Sequence, residues 1–291
     1  MEDLTLQEKR KKTDLVLANI YNLPGRSEVM DEIFRTFENP NSTSSQISKL
    51  ICKDQAIATK ILSIANSPLY GLRRKVSTID FAILVIGLSE LKKILIGLSI
   101  MESFKNKTDK YLDQKNFWIH SMMTANASKR LAEDLGYKNP GEAFISGFLH
   151  DLGIPVIHKY FHTAFIEIFE TVSQKGSVTS LDEEIRILGY DHQQIGGFLA
   201  ERWNLPALLC DSIAHHHKPS EAKLDRELAA IVHLADYMTQ KHQLGHFYWD
   251  ESAEFDSEEL ATLKLKDKNE LEALTGKYES LFKEELASIK F

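Results

Sequence analysis

Phe148-Leu149-His150-Asp151-Leu152-Gly153 sets an imidazole and a carboxylate side by side at the end of an otherwise apolar helical stretch. A carboxylate among such neighbours is costly to bury unless something pairs with it. A divalent cation is one such partner, and imidazole with carboxylate is a donor mix suited to Fe, Mn, Zn or Co. An exposed His-Asp pair at a helix terminus is the alternative, so the reading turns on further ligands. His120 lies on or beside the apolar stripe formed with Met123, Ala127 and Leu131, where a lone histidine is ordinarily a core residue. Asp236 falls within the apolar helical stretch Ile231 to Met238, where a charged group either reaches solvent at the stripe's edge or holds a cation. Together His120, His150, Asp151 and Asp236 offer four ligands and leave positions for water and substrate.

Histidine placement organises the rest of the chain. Of eleven histidines, His120, His150, His192, His215, His216 and His217 fall in one central segment, and the N-terminal third has none. The chain therefore divides into a histidine-free part over residues 1–110, a histidine-bearing part over 111–247 and an acidic tail over 248–291. Apolar residues recur at three and four throughout, which predicts an all-α fold without a sheet. Ile47, Leu50 and Ile51 form one stripe, and Asp54 caps a helix carrying Ile57, Ile61, Leu62 and Ile64 that ends at Asn66-Ser67-Pro68. Ser77 is placed to cap the next helix, which pauses at Gly87. Ser180 with Glu183 reads as a capping box, Gly189 as a left-handed C-cap, and Asp191 with Gln194 as the cap that puts His192 at a helix start. Leu260, Leu263, Leu271, Leu274, Tyr278 and Leu281 predict one or two amphipathic helices in the tail.

Composition removes several function classes. In 291 residues, 35 basic against 42 acidic side chains give a formal charge of -7, which argues against a surface that tracks nucleic-acid phosphates. The basic cluster Arg73-Arg74-Lys75 reads as a solvated turn. The longest apolar run, Phe81 to Leu88, is far short of the ~20 residues that span a bilayer, and the polar N-terminus has no signal-peptide pattern, so a cytoplasmic location without a membrane partner is expected. No Gly-rich phosphate loop, GxSxG elbow or dinucleotide fingerprint is present. Cys52 and Cys210 read as buried thiols, not a disulfide or a redox pair. Phe247-Tyr248-Trp249 reads as an aromatic run pinning the tail onto the core.

The order histidine, His-Asp, distant aspartate resembles the HD superfamily of metal-dependent phosphohydrolases. Leu23-Pro24, Ser44 to Ile51, Asp54 through Leu62, Ala65-Asn66-Ser67, Tyr70-Gly71 and Ile86-Gly87 resemble the N-terminal half of its HDOD family. Trp118-Ile119-His120-Ser121, Ala143 to Gly153, Glu184, Gly189 to His192, Trp203, Leu205-Pro206 and His216 to Pro219 resemble the rest. The resemblance spans roughly Leu23 to Asp236 and implies an HD-type helical bundle with an N-terminal helical HDOD subdomain, found in bacterial signalling. It adds His192 and His216 or His217 to the ligand set, by similarity to the multi-metal sites of the related HD-GYP phosphodiesterases. Those enzymes also carry a lysine soon after the His-Asp segment and a Gly-Tyr-Pro loop, whereas here Ile154-Pro155 and Lys218-Pro219 stand in those places. Two functions follow from the resemblance. One is a regulatory module that keeps a divalent metal and works through a protein partner. The other is a metal-dependent phosphohydrolase acting on a nucleotide or cyclic dinucleotide, with His192 or His217 protonating the leaving oxygen. Lys159, Arg186 and Lys218 are the cations available to such an enzyme.

Overall fold

The computed structural model describes residues 4–20, 28–67, 70, 72, 74–103, 109–175, 178–242, 247, 249, 255 and 257–288. Leu23, Pro24, Pro68, Gly71, Arg73 and Tyr248, all used above, lie outside the described residues. Among the described residues there is no strand. In chain order the helices are α1 (Leu6–Ala18), α2 (Glu28–Glu38), α3 (Ser44–Ile51), α4 (Gln55–Ala65), α5 (Ile79–Ile86), α6 (Leu88–Ser103), α7 (Gln114–Leu135) and α8 (Pro140–Leu149). They continue with α9 (Gly153–Tyr160), α10 (His162–Lys175), α11 (Ser180–Leu188), α12 (His192–Arg202), α13 (Ala207–Ala214), α14 (Arg226–Lys241) and α15 (Lys268–Ser288). None of the described helices is long and apolar enough to cross a membrane.

The chain forms two compact units, one of Leu23–Lys105 with Ser280–Phe291, the other of Met1–Asn22 with Asn106–Glu279. In the first, α3 and α4 both pack on α5, and Ile47, Ile51, Ile57, Ile61, Ile79 and Ile83 are all buried. Asn66 closes α4 and then grips the loop beyond it, accepting from Val76 N at 2.7 Å and donating to Val76 O at 2.8 Å. The cap of α5 is Thr78, one residue beyond the expected Ser77, because the Thr78 hydroxyl is the one that accepts Phe81 N–H at 3.3 Å. Cys52 corrects the expectation of a buried thiol. It follows the last buried residue of α3 and faces solvent, whereas Cys210 is buried.

In the second unit, α7 and α8 pack closely, α14 lies along α7, and α9 meets α12. Small residues set these approaches. A Cβ on Gly147 would stand 2.8 Å from Thr124 O and run into Ser128. One on Gly153 would run into the His192 backbone carbonyl, so only glycine lets α9 begin against α12. The glycine two residues after Asp151 thus brings His192 to the His-Asp pair. Because its obstacle is backbone and cannot rotate away, Gly153→Ala is expected to cost about 2 kcal/mol or more, read as a fall in Tm. An unchanged Tm would contradict the packing argument.

The caps in this unit fall where the sequence places them, with one shift. Gly189 ends α11 with a φ of 81°, and Asp191 with Gln194 form the box that opens α12 at His192. The box of α11 is Thr179 with Asp182, not Ser180 with Glu183. Both pairs have the required spacing; Ser180 and Glu183 are buried inside the first turn, where the Ser180 hydroxyl donates to Trp249 O.

Candidate metal centre

Five elements of the second unit carry the polar residues that converge in its interior. His120 sits on α7 one turn after Phe117, His150 follows the last residue of α8, and Asp151 occupies the turn before α9. His192 is the first residue of α12, His216 and His217 follow α13, and Asp236 lies on α14. Every one of the seven is buried; His217, at 9% exposure, is the most open.

Asp151 is the hub. Its Oδ2 lies 3.1 Å from His150 Nε2 and 3.3 Å from His120 Nε2. Its Oδ1 lies 3.4 Å from His192 Nε2 and 3.6 Å from His216 Nε2. Asp236 Oδ1 joins the first side, 3.2 Å from His120 Nε2 and 3.5 Å from His150 Nε2. His217 joins the second, its Nε2 3.1 Å from that of His192. Two groups of four donors therefore share one carboxylate, one oxygen to each side.

The tautomers follow from the other ring nitrogens. His150 Nδ1 lies 2.8 Å from Gly147 O and His216 Nδ1 lies 2.8 Å from Ile213 O. A carbonyl oxygen only accepts, so both Nδ1 atoms carry protons. His192 Nδ1 lies 2.9 Å from a Glu184 carboxylate oxygen and donates there in the same way. In the neutral imidazole each Nε2 then presents a lone pair toward Asp151. Neither Asp151 oxygen, nor His216 Nε2, has a hydrogen-bond partner.

Protonation can relieve only one side of this arrangement. Burial would lower the His150 pKa, but the Asp151 and Asp236 carboxylates prevail and raise it to about 10. Burial likewise raises both carboxyls, yet the facing imidazoles hold Asp151 and Asp236 well below the usual carboxylate range. On the other side, burial and the neighbouring imidazoles push His216 down to about 3 and His217 down to about 4. At neutral pH those two rings are uncharged, and the His216 lone pair faces a carboxylate oxygen across 3.6 Å. Lone pairs converging in a dry interior repel unless a cation stands among them. The donor separations suit one: ligands held about 2.0–2.2 Å from an ion at roughly 90–110° are themselves about 3.0–3.5 Å apart. Residues His120, His150 and Asp151, and residues Asp151, His192, His216 and His217, are each grouped closely enough to hold an ion.

All six residues expected as ligands, and His217 with them, come together here. His215 does not, because its Nδ1 turns to Asp211 O at 2.8 Å. The helix start at His192, which alone would suit a solvated imidazole, is fully buried. Four supporting residues had no role in the sequence reading of the site. Glu184 Oε2 accepts from His192 N–H at 2.6 Å, and Glu184 Oε1 accepts from Trp249 Nε1–H at 2.6 Å. Gln193 Oε1 accepts from His217 N–H at 3.1 Å, and Gln240 Nε2 donates to Asp236 at 3.3 Å. Phe247 does pin its segment to the core, its ring 5.3 Å from both Phe117 and His120, while Trp249 stacks on Phe165 at 4.3 Å.

A family model of the HDOD domain matches residues 23–219. A protein of Treponema pallidum (strain Nichols), described only as uncharacterized, is 27% identical over 217 residues, covering 74% of this chain and 42% of that protein. The chain thus matches less than half the length of that relative. Among solved structures, an HDOD domain protein of unknown function from Geobacter sulfurreducens has a TM-score of 0.75 at 23% identity, covering 98% of each chain. A candidate phosphohydrolase from Shewanella amazonensis SB2B has a TM-score of 0.70 at 22% identity, covering 94% of this chain and 98% of its own. At these identities the likeness establishes the shared all-helical fold.

Proposed function

From the premise that this chain belongs to the HDOD family, we propose that it is a regulatory module whose buried centre holds divalent metal and whose signalling runs through a protein partner. The observation that carries the reading is the completeness and burial of the ligand set. His120, His150 and Asp151 on one side, with Asp236 beside both imidazoles, and Asp151, His192, His216 and His217 on the other, make two donor groups with at most 9% exposure at any member. Metal positions closed by protein ligands hold structure, whereas catalytic ones keep an open position. Fe, Mn, Zn or Co suits this mix of imidazole and carboxylate. In this role the residues tie α7, α8, α12, α13 and α14 to one point, and Glu184 and Gln240 orient the donors.

The shared Asp151 carboxylate favours a second reading, a phosphohydrolase acting on a nucleotide or cyclic dinucleotide. Paired divalent ions supply activated water and neutralise phosphate charge when bound. His192 and His217 stand beside that position as the candidate proton donors. Of the three cations named for such an enzyme, Arg186 pairs with Glu167 at 2.8 Å and Glu183 at 2.7 Å, Lys218 faces Glu221 at 3.8 Å, and Lys159 lies over the Tyr160 ring at 5.5 Å. The chain's charge of -7 adds no attraction for an anionic substrate.

Incubating metal-replete protein with cyclic di-GMP, with Asp151→Ala as control, separates the two. We expect no accumulation of linear product by chromatography. Multiple turnovers that the substitution abolishes would overturn the regulatory reading in favour of the enzyme.

A further inference from the structure

A second cluster of metal-ligating side chains stands apart from the central centre, at the corner between α9 and α10. His158 lies near the end of α9 and His162 opens α10. Asp109 precedes α7, and its direction is fixed because Oδ1 accepts from Tyr111 N–H at 2.8 Å and Leu112 N–H at 2.9 Å. That leaves Oδ2 facing His158 Nε2 at 2.9 Å and His162 Nε2 at 3.7 Å. One donor atom from each of the three lies within 4.8 Å of the other two. His162 Nδ1 lies 3.2 Å from the His158 carbonyl, which can only accept, so the His162 proton sits on Nδ1. With its proton on Nδ1, the His162 ring turns Nε2 toward a carboxylate oxygen that also faces His158 Nε2.

The cluster is separate from that centre, since α9 carries His158 seven residues beyond Asp151, about 10 Å of helical rise. It differs also in access. His158 is buried, Asp109 is partly exposed and His162 is 49% exposed, so water can complete a coordination shell. Two imidazoles and one carboxylate with an open fourth position form a donor set for a borderline divalent ion.

We propose that Asp109, His158 and His162 form a solvent-facing site for a divalent transition ion of the zinc class, distinct from the central centre. Binding replaces the hydrogen bond from His158 Nε2–H to Asp109 Oδ2 with coordination by both atoms, together with His162 Nε2. The His158 ring stays neutral, its single proton moving from Nε2 to Nδ1. That Nδ1 is buried with no hydrogen-bond partner, so the new N–H goes unmet and the affinity stays below that of a fully satisfied zinc site. The ion would clip the segment before α7 to the α9–α10 corner.

The test is a zinc titration of tag-free protein whose central centre is already loaded, followed by calorimetry. We expect one further equivalent, and we expect His162→Ala and Asp109→Asn each to weaken it at least about tenfold while central metal content is unchanged. His162 is half exposed, and asparagine at 109 keeps the oxygen that accepts from Tyr111 and Leu112, so both variants retain the fold. Absence of the further equivalent, or its persistence at full affinity in either variant, would overturn the proposal. The equivalents lost with His162→Ala belong to this site whatever the central residues bind, so its failure and that of the central reading are distinguishable.

Discussion

Asp151→Ala is expected to empty both central metal positions at once, lowering bound metal about tenfold or more after reconstitution with Fe, Mn or Zn. The expectation follows from geometry: Oδ2 faces His120 and His150, while Oδ1 faces His192 and His216. No other residue in the centre serves both groups. Asp236→Ala should act more narrowly, since the imidazoles Asp236 faces, His120 and His150, both belong to the first group. Cys210→Ala is the matched negative control. Burial pushes that thiol up to about 11, and its Sγ donates to Leu205 O at 3.5 Å, so it offers no thiolate. Elemental analysis of protein purified without chelator reads all three. Full metal in Asp151→Ala, or an equal loss in Cys210→Ala, would place the ligands elsewhere.

What the sequence made legible was whatever leaves a local mark. The His150-Asp151 pair stands out because two polar groups interrupt an apolar run, and Asp236 stands out for the same reason. Caps are local too, which is why Asp54, Gly189 and Asp191 fall as expected, and why Ser180 and Thr179, neighbours with equivalent spacing, could be told apart only by burial against Trp249. Three adjacent histidines carry no information on direction: the chain turn after α13 sends His216 and His217 inward and His215 to Asp211. Glu184 carried part of the resemblance, but its partners were illegible because they lie 8 and 65 residues away, distances no helical period spans. Asp109 and His158, 49 positions apart, were illegible as a pair for a similar reason.

Glu184→Ala is expected to damage the protein nearly as much as the loss of a ligand, although Glu184 is not one of the proposed ligands. Its carboxylate is fully buried and accepts from His192 N–H, His192 Nδ1–H and Trp249 Nε1–H. Alanine strands three buried donors, each costing about 1–3 kcal/mol when unmet. A net loss of about 3 kcal/mol is expected, equivalent in a chain of this size to a fall in Tm of roughly 6–12 °C. The metal effect is separate and one-sided. Without the carboxylate, the bond that fixes the proton on His192 Nδ1 is lost, and outer partners of this kind are worth about 10–100-fold in metal affinity. The His120, His150 and Asp236 side makes no contact with Glu184 through His192, so it should keep its ion. Metal stoichiometry should thus drop by about half where Asp151→Ala removes nearly all. A Glu184→Ala protein with unchanged Tm and full metal would show that His192 is oriented by packing alone, with the carboxylate a bystander.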